Sequence, residues 1–174
     1  MTPRVGFCDN NDLAPFHSEN YRFLLAHRKQ FSQQVGQEKV DRRLGMLYTG
    51  VLSSIVWGRD TKTTFADVQE IGKVIRTLKT DDKKRLLAYV SLANAYKEKN
   101  TSELLKISKK AFPVFSDADV MMMVMPVSVY FRTQEDKAAL REFIPVGRTV
   151  VPNLKIQENV NYVTYYFDEL EKQM

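Results

Sequence analysis

A chain of 174 residues, 44% hydrophobic and 27% charged, has the makeup of one globular domain able to bury about 70% of its unfolded-chain surface. Its most apolar run, the twelve residues Val120 to Phe131, is too short to span a bilayer, which needs roughly 20, and the lone Cys8 excludes an internal disulfide. The 26 Lys and Arg outnumber the 21 Asp and Glu unevenly: residues 20–110 carry a net +10, between ends of −2 and −3, which speaks of polyanionic partners rather than of fold.

In chain order, residues 1–12 read as an extended arm, because Pro3, Gly6, Asn10 and Asn11 oppose regular structure. The arm has too few apolar groups to order itself, so it is expected to be mobile or to pack on a neighbouring subunit, a route to a homo-oligomer. It lacks the apolar core of a signal peptide and the composition of a transit peptide. With one cysteine, this predicts the cytoplasm, or the host cytoplasm for a viral protein.

Residues 13–174 form a single helical domain in this reading. Ser18 opens a first helix to Val35, with Tyr21, Leu24, Leu25, Phe31 and Val35 on one face. Arg28 falls within that face, where it snorkels, pairs with a carboxylate or marks an interface. A second helix, about Gln37 to Trp57, has a stripe from Val40 through Leu44, Tyr48 and Leu52 to Ile55, and Gly45 and Gly50 suggest close helix approach. Lys39, Arg42 and Arg43 lie off the stripe. Thr63 or Thr64 caps a third helix with Phe65, Val68, Ile71, Ile75 and Leu78 inward, while Lys73 and Arg76 face out and Lys79 ends it.

Thr80-Asp81-Asp82 introduces a fourth helix whose first turn carries Lys83, Lys84 and Arg85. The uncharged segment Leu86 to Tyr96 that follows is expected to be buried on most sides. Tyr89, Leu92, Ala93 and Tyr96 resemble the first helix of a tetratricopeptide unit, but the next helix is too short and no second copy follows. Asn100-Thr101-Ser102 matches a glycosylation sequon and is read as a helix cap. The fifth helix turns Leu104, Leu105, Ala111 and Phe112 inward and Lys106, Lys109 and Lys110 outward, until Pro113 stops it.

The apolar run is read as a buried helix from about Asp117, capped by Ser116, with Met121, Val124 and Met125 inaccessible. Pro126 ends or kinks it, and Val127 to Phe131 continue as helix or strand. Thr133 to Asp136 start a helix to about Phe143, stopped by Pro145 and Gly147. A short β-hairpin is credible at 149–156, around Pro152-Asn153. A last helix from about Asn161 buries Val163, Tyr166, Phe167 and Leu170. About eight helices make the expected fold all-α.

Catalytic patterns are missing. Gly45 and Gly50 have the spacing of a phosphate loop, but Val51-Leu52 stands where Lys-Ser/Thr is needed. Cys8, His17 and His27 form no nucleophile motif and cannot supply three zinc ligands, and His17-Ser18-Glu19 lacks the C-x-x-C of zinc deaminases. The pairs Asp81/Asp82, Asp117/Asp119 and Glu135/Asp136 fall at helix N-termini, where acids complement the dipole. The sequence therefore predicts no catalytic residue, metal or cofactor, and no enzyme.

What the basic centre suggests is a weakly sequence-specific binder of RNA or single-stranded DNA, an accessory or nucleoprotein-like factor. Phosphate contacts would come from Lys73, Arg76, Lys79, Lys83, Lys84, Arg85, Lys106, Lys109 and Lys110. Tyr96, Tyr162, Tyr165 or Tyr166 would stack bases. A solvated lysine-rich face is the plainer reading of the same charges. The alternative function is a protein–protein interaction module, an adaptor or inhibitor, contacting its partner around Arg28, Lys39, Arg42 and Arg43.

Overall fold

Amphipathic segments separated by Gly, Pro and capping residues become helices, and in the computed structural model, which describes residues 13–134 and 136–174, they follow that punctuation closely. The expected arm, residues 1–12 with Cys8, lies outside the described residues. In order come α1 (Leu13–Ala26), α2 (Arg28–Val35), α3 (Gln37–Val56), α4 (Phe65–Thr77), α5 (Lys83–Lys97) and α6 (Thr101–Ala111). After a 3-10 turn come α7 (Asp117–Asp119), a π turn (Val120–Val124), α8 (Met125–Thr133), α9 (Lys137–Arg148) and α10 (Gln157–Lys172). The fold is all-α, with no strand among the described residues.

Helix α5 is the axis of the bundle. It packs on α3, α4 and α6, and no residue from Leu86 to Tyr96 is exposed. Around it the core takes Tyr48, Tyr89, Phe112, Phe115, Phe131 and Phe143 fully out of water. Helix α3 approaches α5 closely: a Cβ on Gly45 would sit 3.2 Å from Leu86, tighter than an ordinary contact, so the glycine eases the packing there. On the far side, Gly147 of α9 lies directly against the Phe167 ring of α10, leaving no room for a Cβ.

Several of the caps read from sequence are in place, although Asp82 makes no side-chain capping bond at the start of α5. Thr64 and Asp67 form a reciprocal capping box on α4, and Asn100 accepts the Glu103 N–H at 3.0 Å at the start of α6. Asp136 likewise accepts from Ala138 and Ala139 at the start of α9.

Five expectations fail for identifiable reasons. The first helix begins at Leu13 rather than Ser18 and is two helices, because His27 leaves helical geometry at φ −103°, ψ 12°; Val35, at the end of the second, is 51% exposed. The β-hairpin at 149–156 is absent: Val151-Pro152-Asn153 closes as a 3-10 turn, with Leu154 N–H bonded to Val151 O at 3.1 Å. Pro145 does not end α9. It sits on the exposed side of the helix, which continues to Arg148. Phe65, at the first position of α4, is 40% exposed rather than inward.

The fifth concerns the apolar run. Val120, Met123, Val124 and Met125 are buried, but Met121 is 51% and Met122 41% exposed. The π turn inserts one residue beyond the 3.6 periodicity and pushes both out. Met125 N–H bonds to Val120 O, five residues back. The next donor would be Pro126, which has none, so Met121 O is left without a helical partner. Trp57, capping the C-terminus of α3, fills that vacancy with its indole N–H at 3.1 Å. Pro126 is thus accommodated inside a continuing helix rather than ending it.

Candidate binding sites at the two ends of α5

At the N-terminal end of α5, the segment joining it to α4 is tied down by a carboxylate that the sequence does not single out. Asp41, fully buried on α3, accepts from Arg28 Nε at 2.8 Å, Gln37 Nε2 at 2.7 Å and the Lys79 backbone N–H at 2.8 Å. Arg28 also donates to Thr77 Oγ1 at 3.0 Å. Of the three roles open to Arg28, pairing with a carboxylate is the one the fold shows.

A second buried carboxylate anchors the first turn of α5. Asp119 accepts from Tyr89 Oη at 2.6 Å, Arg85 Nη1 at 3.2 Å and the Ser116 N–H at 2.8 Å. Burial, and then the Asp119 charge, hold the Tyr89 hydroxyl well above the ordinary tyrosine range, so it remains a donor. Arg85 also reaches Asp82 at 3.4 Å and lies over the Tyr89 ring at 5.4 Å. Its charge is engaged within the fold by two carboxylates.

The other cations divide in two. Lys73 pairs with Glu70 at 2.5 Å, Lys106 with Glu103 at 2.9 Å and Arg42 with Glu38 at 2.7 Å, all exposed pairs one helical turn apart and worth at most about 0.5 kcal/mol. Arg76, Lys79, Lys83, Lys84, Lys109 and Lys110 have no salt-bridge partner among the described residues. Two adjoining clefts gather some of these. One, about 620 Å³, holds Arg42, Lys79 and Lys83; the other, about 490 Å³ between α5 and α6, holds Lys84, Arg85 and Lys110. Lys73, Arg76, Lys106 and Lys109 line neither. Both clefts share Asp81 and Asp82, and the first adds Glu38.

No acid occupies the first turn of α5, and Asp82 at its N-cap makes no side-chain capping bond. Lys83 and Lys84 therefore stand at the positive end of the helix dipole, an arrangement that an incoming anion relieves.

At the C-terminal end of α5 lies a cleft of about 390 Å³ walled by Trp57, Tyr96 and Tyr130. The Tyr96 and Tyr130 rings meet edge-on at 5.5 Å, and Tyr130 Oη is 3.0 Å from Thr101 Oγ1. Arg59 lies over the Trp57 ring at 4.9 Å. Gly58, at φ +72°, makes the turn, and a Cβ there would be 2.9 Å from Tyr96 Oη. Lys99 lines the cleft with φ +52°, the left-handed position where helices usually carry glycine. Lys99 N–H to Tyr96 O and Asn100 N–H to Ala95 O, each 3.0 Å, close the helix around it.

Of the tyrosines expected to stack bases, only Tyr96 lines this cleft; Tyr162 and Tyr165 are exposed on α10 and Tyr166 is half-buried there. Trp57, Lys99 and Tyr130 were not singled out by sequence. The one available signal was Lys99-Asn100 closing a helix without glycine.

A third cleft, about 300 Å³ between α1, α2 and α3, combines Phe23, Phe31 and Val35 with Lys39 and Arg43. His27 stacks beside Phe23 at 4.5 Å, with Nδ1 2.9 Å from Phe23 O, a packing role. Among the described residues there is no group of three His, Cys, Asp or Glu that could hold a metal, and no helix is long and apolar enough to cross a membrane. Comparison with protein families, curated proteins and solved structures finds no match.

Proposed function

We propose that this protein binds nucleic acid, RNA or single-stranded DNA, through phosphate contacts at the N-terminal end of α5, with little preference for sequence. The observation that carries this reading is the convergence of Lys79, Lys83, Lys84 and Lys110, none ion-paired among the described residues, on two adjoining clefts at the positive end of a helix dipole. Arg42 joins them from α3, because its pair with Glu38 is exposed and easily exchanged for a phosphate. Asp81 and Asp82 oppose binding, which favours a flexible single strand able to thread phosphates past them over a rigid duplex.

The test is fluorescence anisotropy with single- and double-stranded oligonucleotides at several salt concentrations. Reversing Lys79, Lys84 and Lys110 to Glu is expected to flatten the slope of log affinity against log salt by roughly 2 to 3, equally for unrelated sequences. Reversing Lys39 and Arg43 serves as the control. A triple variant that folds and binds like the parent refutes the reading.

A second reading rests on the α1–α3 cleft, where Phe23 is 58% exposed beside Lys39 and Arg43. An exposed apolar groove with a basic rim suits an acidic amphipathic helix of a protein partner. Binding that survives high salt, and is lost in Phe23→Ala, would favour it.

A further inference from the structure

We propose that the cleft at the C-terminal end of α5 is a nucleotide site, taking a planar base against Trp57, Tyr96 and Tyr130 and a phosphate at Lys99. It does not rest on the basic face, which lies at the other end of a helix about 22 Å long.

Four observations converge. Three aromatic rings from three separate elements, the end of α3, α5 and α8, wall one cavity whose size falls in the range of small-molecule sites. Among the described residues no carboxylate lines it, whereas both clefts at the opposite end include Asp81 and Asp82. Thr101, Thr133 and Gln134 border it with groups able to meet the edge of a base, which an all-hydrocarbon pocket lacks. Lys99 is kept at a left-handed backbone position that glycine would occupy without strain. A fold selected for stability alone would place glycine there. A cation at the mouth of an aromatic cavity explains the lysine, and Arg59 above Trp57 adds a second positive charge nearby.

The arrangement is also preset. The Trp57 indole N–H is bound to Met121 O, which fixes the ring plane, and Gly58 lets Tyr96 approach the α3 terminus. A base that stacks here meets rings already immobilised, so little ordering opposes its entry. Base stacking on aromatic rings tolerates any base, so the site selects nucleotides as a class.

Trp57 is the chain's single tryptophan, so its intrinsic fluorescence reports on this cleft without a label. The full chain is titrated at constant ionic strength with uridine 5′-monophosphate, uridine, inorganic phosphate and a short oligouridine, with corrections from free tryptophan. The expected result is a saturable change with the monophosphate, about tenfold weaker with uridine, which lacks the charged contact, and none with phosphate alone. Monophosphate matching oligouridine identifies a free-nucleotide site, and saturation by oligouridine alone identifies a residue of a bound strand.

Lys99→Gly is the decisive variant. It should lose about tenfold in affinity while its melting temperature stays level or rises, a combination that collapse of the cleft would not produce. Reversal of Lys79, Lys84 and Lys110 should leave the Trp57 titration unchanged, which keeps this site separate from the basic face. An unresponsive Trp57 with every nucleotide probe, or a Lys99→Gly variant that binds like the parent, overturns the proposal.

Discussion

The two ends of α5 treat positive charge in opposite ways. Its first turn holds three consecutive cations, Lys83, Lys84 and Arg85, yet Asp81, Asp82 and Asp119 stand among them, and Arg85 is spent on Asp119. Beyond its last turn a single Lys99 lines the cleft, with aromatic rings and, among the described residues, no carboxylate around it. Abundance of charge and availability of charge are therefore different properties. What an approaching anion meets is the cation net of its neighbours, and the poorer end by count is the cleaner one by environment.

The largest effect should come from cutting the anchor of the N-terminal end. Asp119→Ala strands the half-buried Arg85 guanidinium and the buried Tyr89 hydroxyl together, and should cost about 3 kcal/mol in urea unfolding. A loss below about 1 kcal/mol would mean that end is held by packing, and the contrast between the ends would dissolve.

Gly58→Ala tests the other end. A Cβ at φ +72° and 2.9 Å from Tyr96 Oη should cost about 1 to 2 kcal/mol, roughly half the penalty expected at Asp119. Lys99→Gly, by contrast, should stabilise by up to about 1 kcal/mol, because glycine takes the left-handed position without strain. If the same change destabilised, Lys99 would be a structural residue and the cleft would lose its most specific argument.

The smallest expected effect is a local response to acid near the N-terminal end. Asp117 accepts from Asn159 Nδ2 at 2.9 Å and from the Lys155 and Ile156 N–H groups, and these bonds hold its carboxyl below the ordinary range. Its folded pKa is depressed, so its contribution is complete above the usual carboxylate pKa and fades as pH falls through the folded value. Amide exchange at Lys155 and Ile156 should accelerate over that acid range while Asn100, at the far end of α5, is unaffected.

Much of the fold was open to reading because it is local. The stripe from Val40 to Ile55, the glycines after α2 and α3, and the Asn100 cap are each decided within about one helical turn, and all fall where they were expected. The sites were not, because their partners are remote. Arg28 meets Asp41 across 13 residues and Arg85 meets Asp119 across 34, so the sequence shows a charge at each position but not which partner it meets. Trp57 and Tyr130 lie far apart in the chain and share a wall only after α3 and α8 pack. Met121 was misplaced for another reason: a strict 3.6 period assumes no surplus residue, and the π turn contains one.

That surplus residue makes the turn a place where the chain can change length. If Met122 were absent, Val120 and Met125 would stand four apart, and the same N–H to C=O bond would close as ordinary α-helix. Pro126 would then be four residues beyond Met121, so the Met121 carbonyl would still be the one left without a donor, and still the one offered to Trp57. Asp119 before the turn and Phe131 after it would keep their places. The loss of one residue here passes through the bonding scheme unnoticed, and registers only on the outside, as one methionine fewer in solvent.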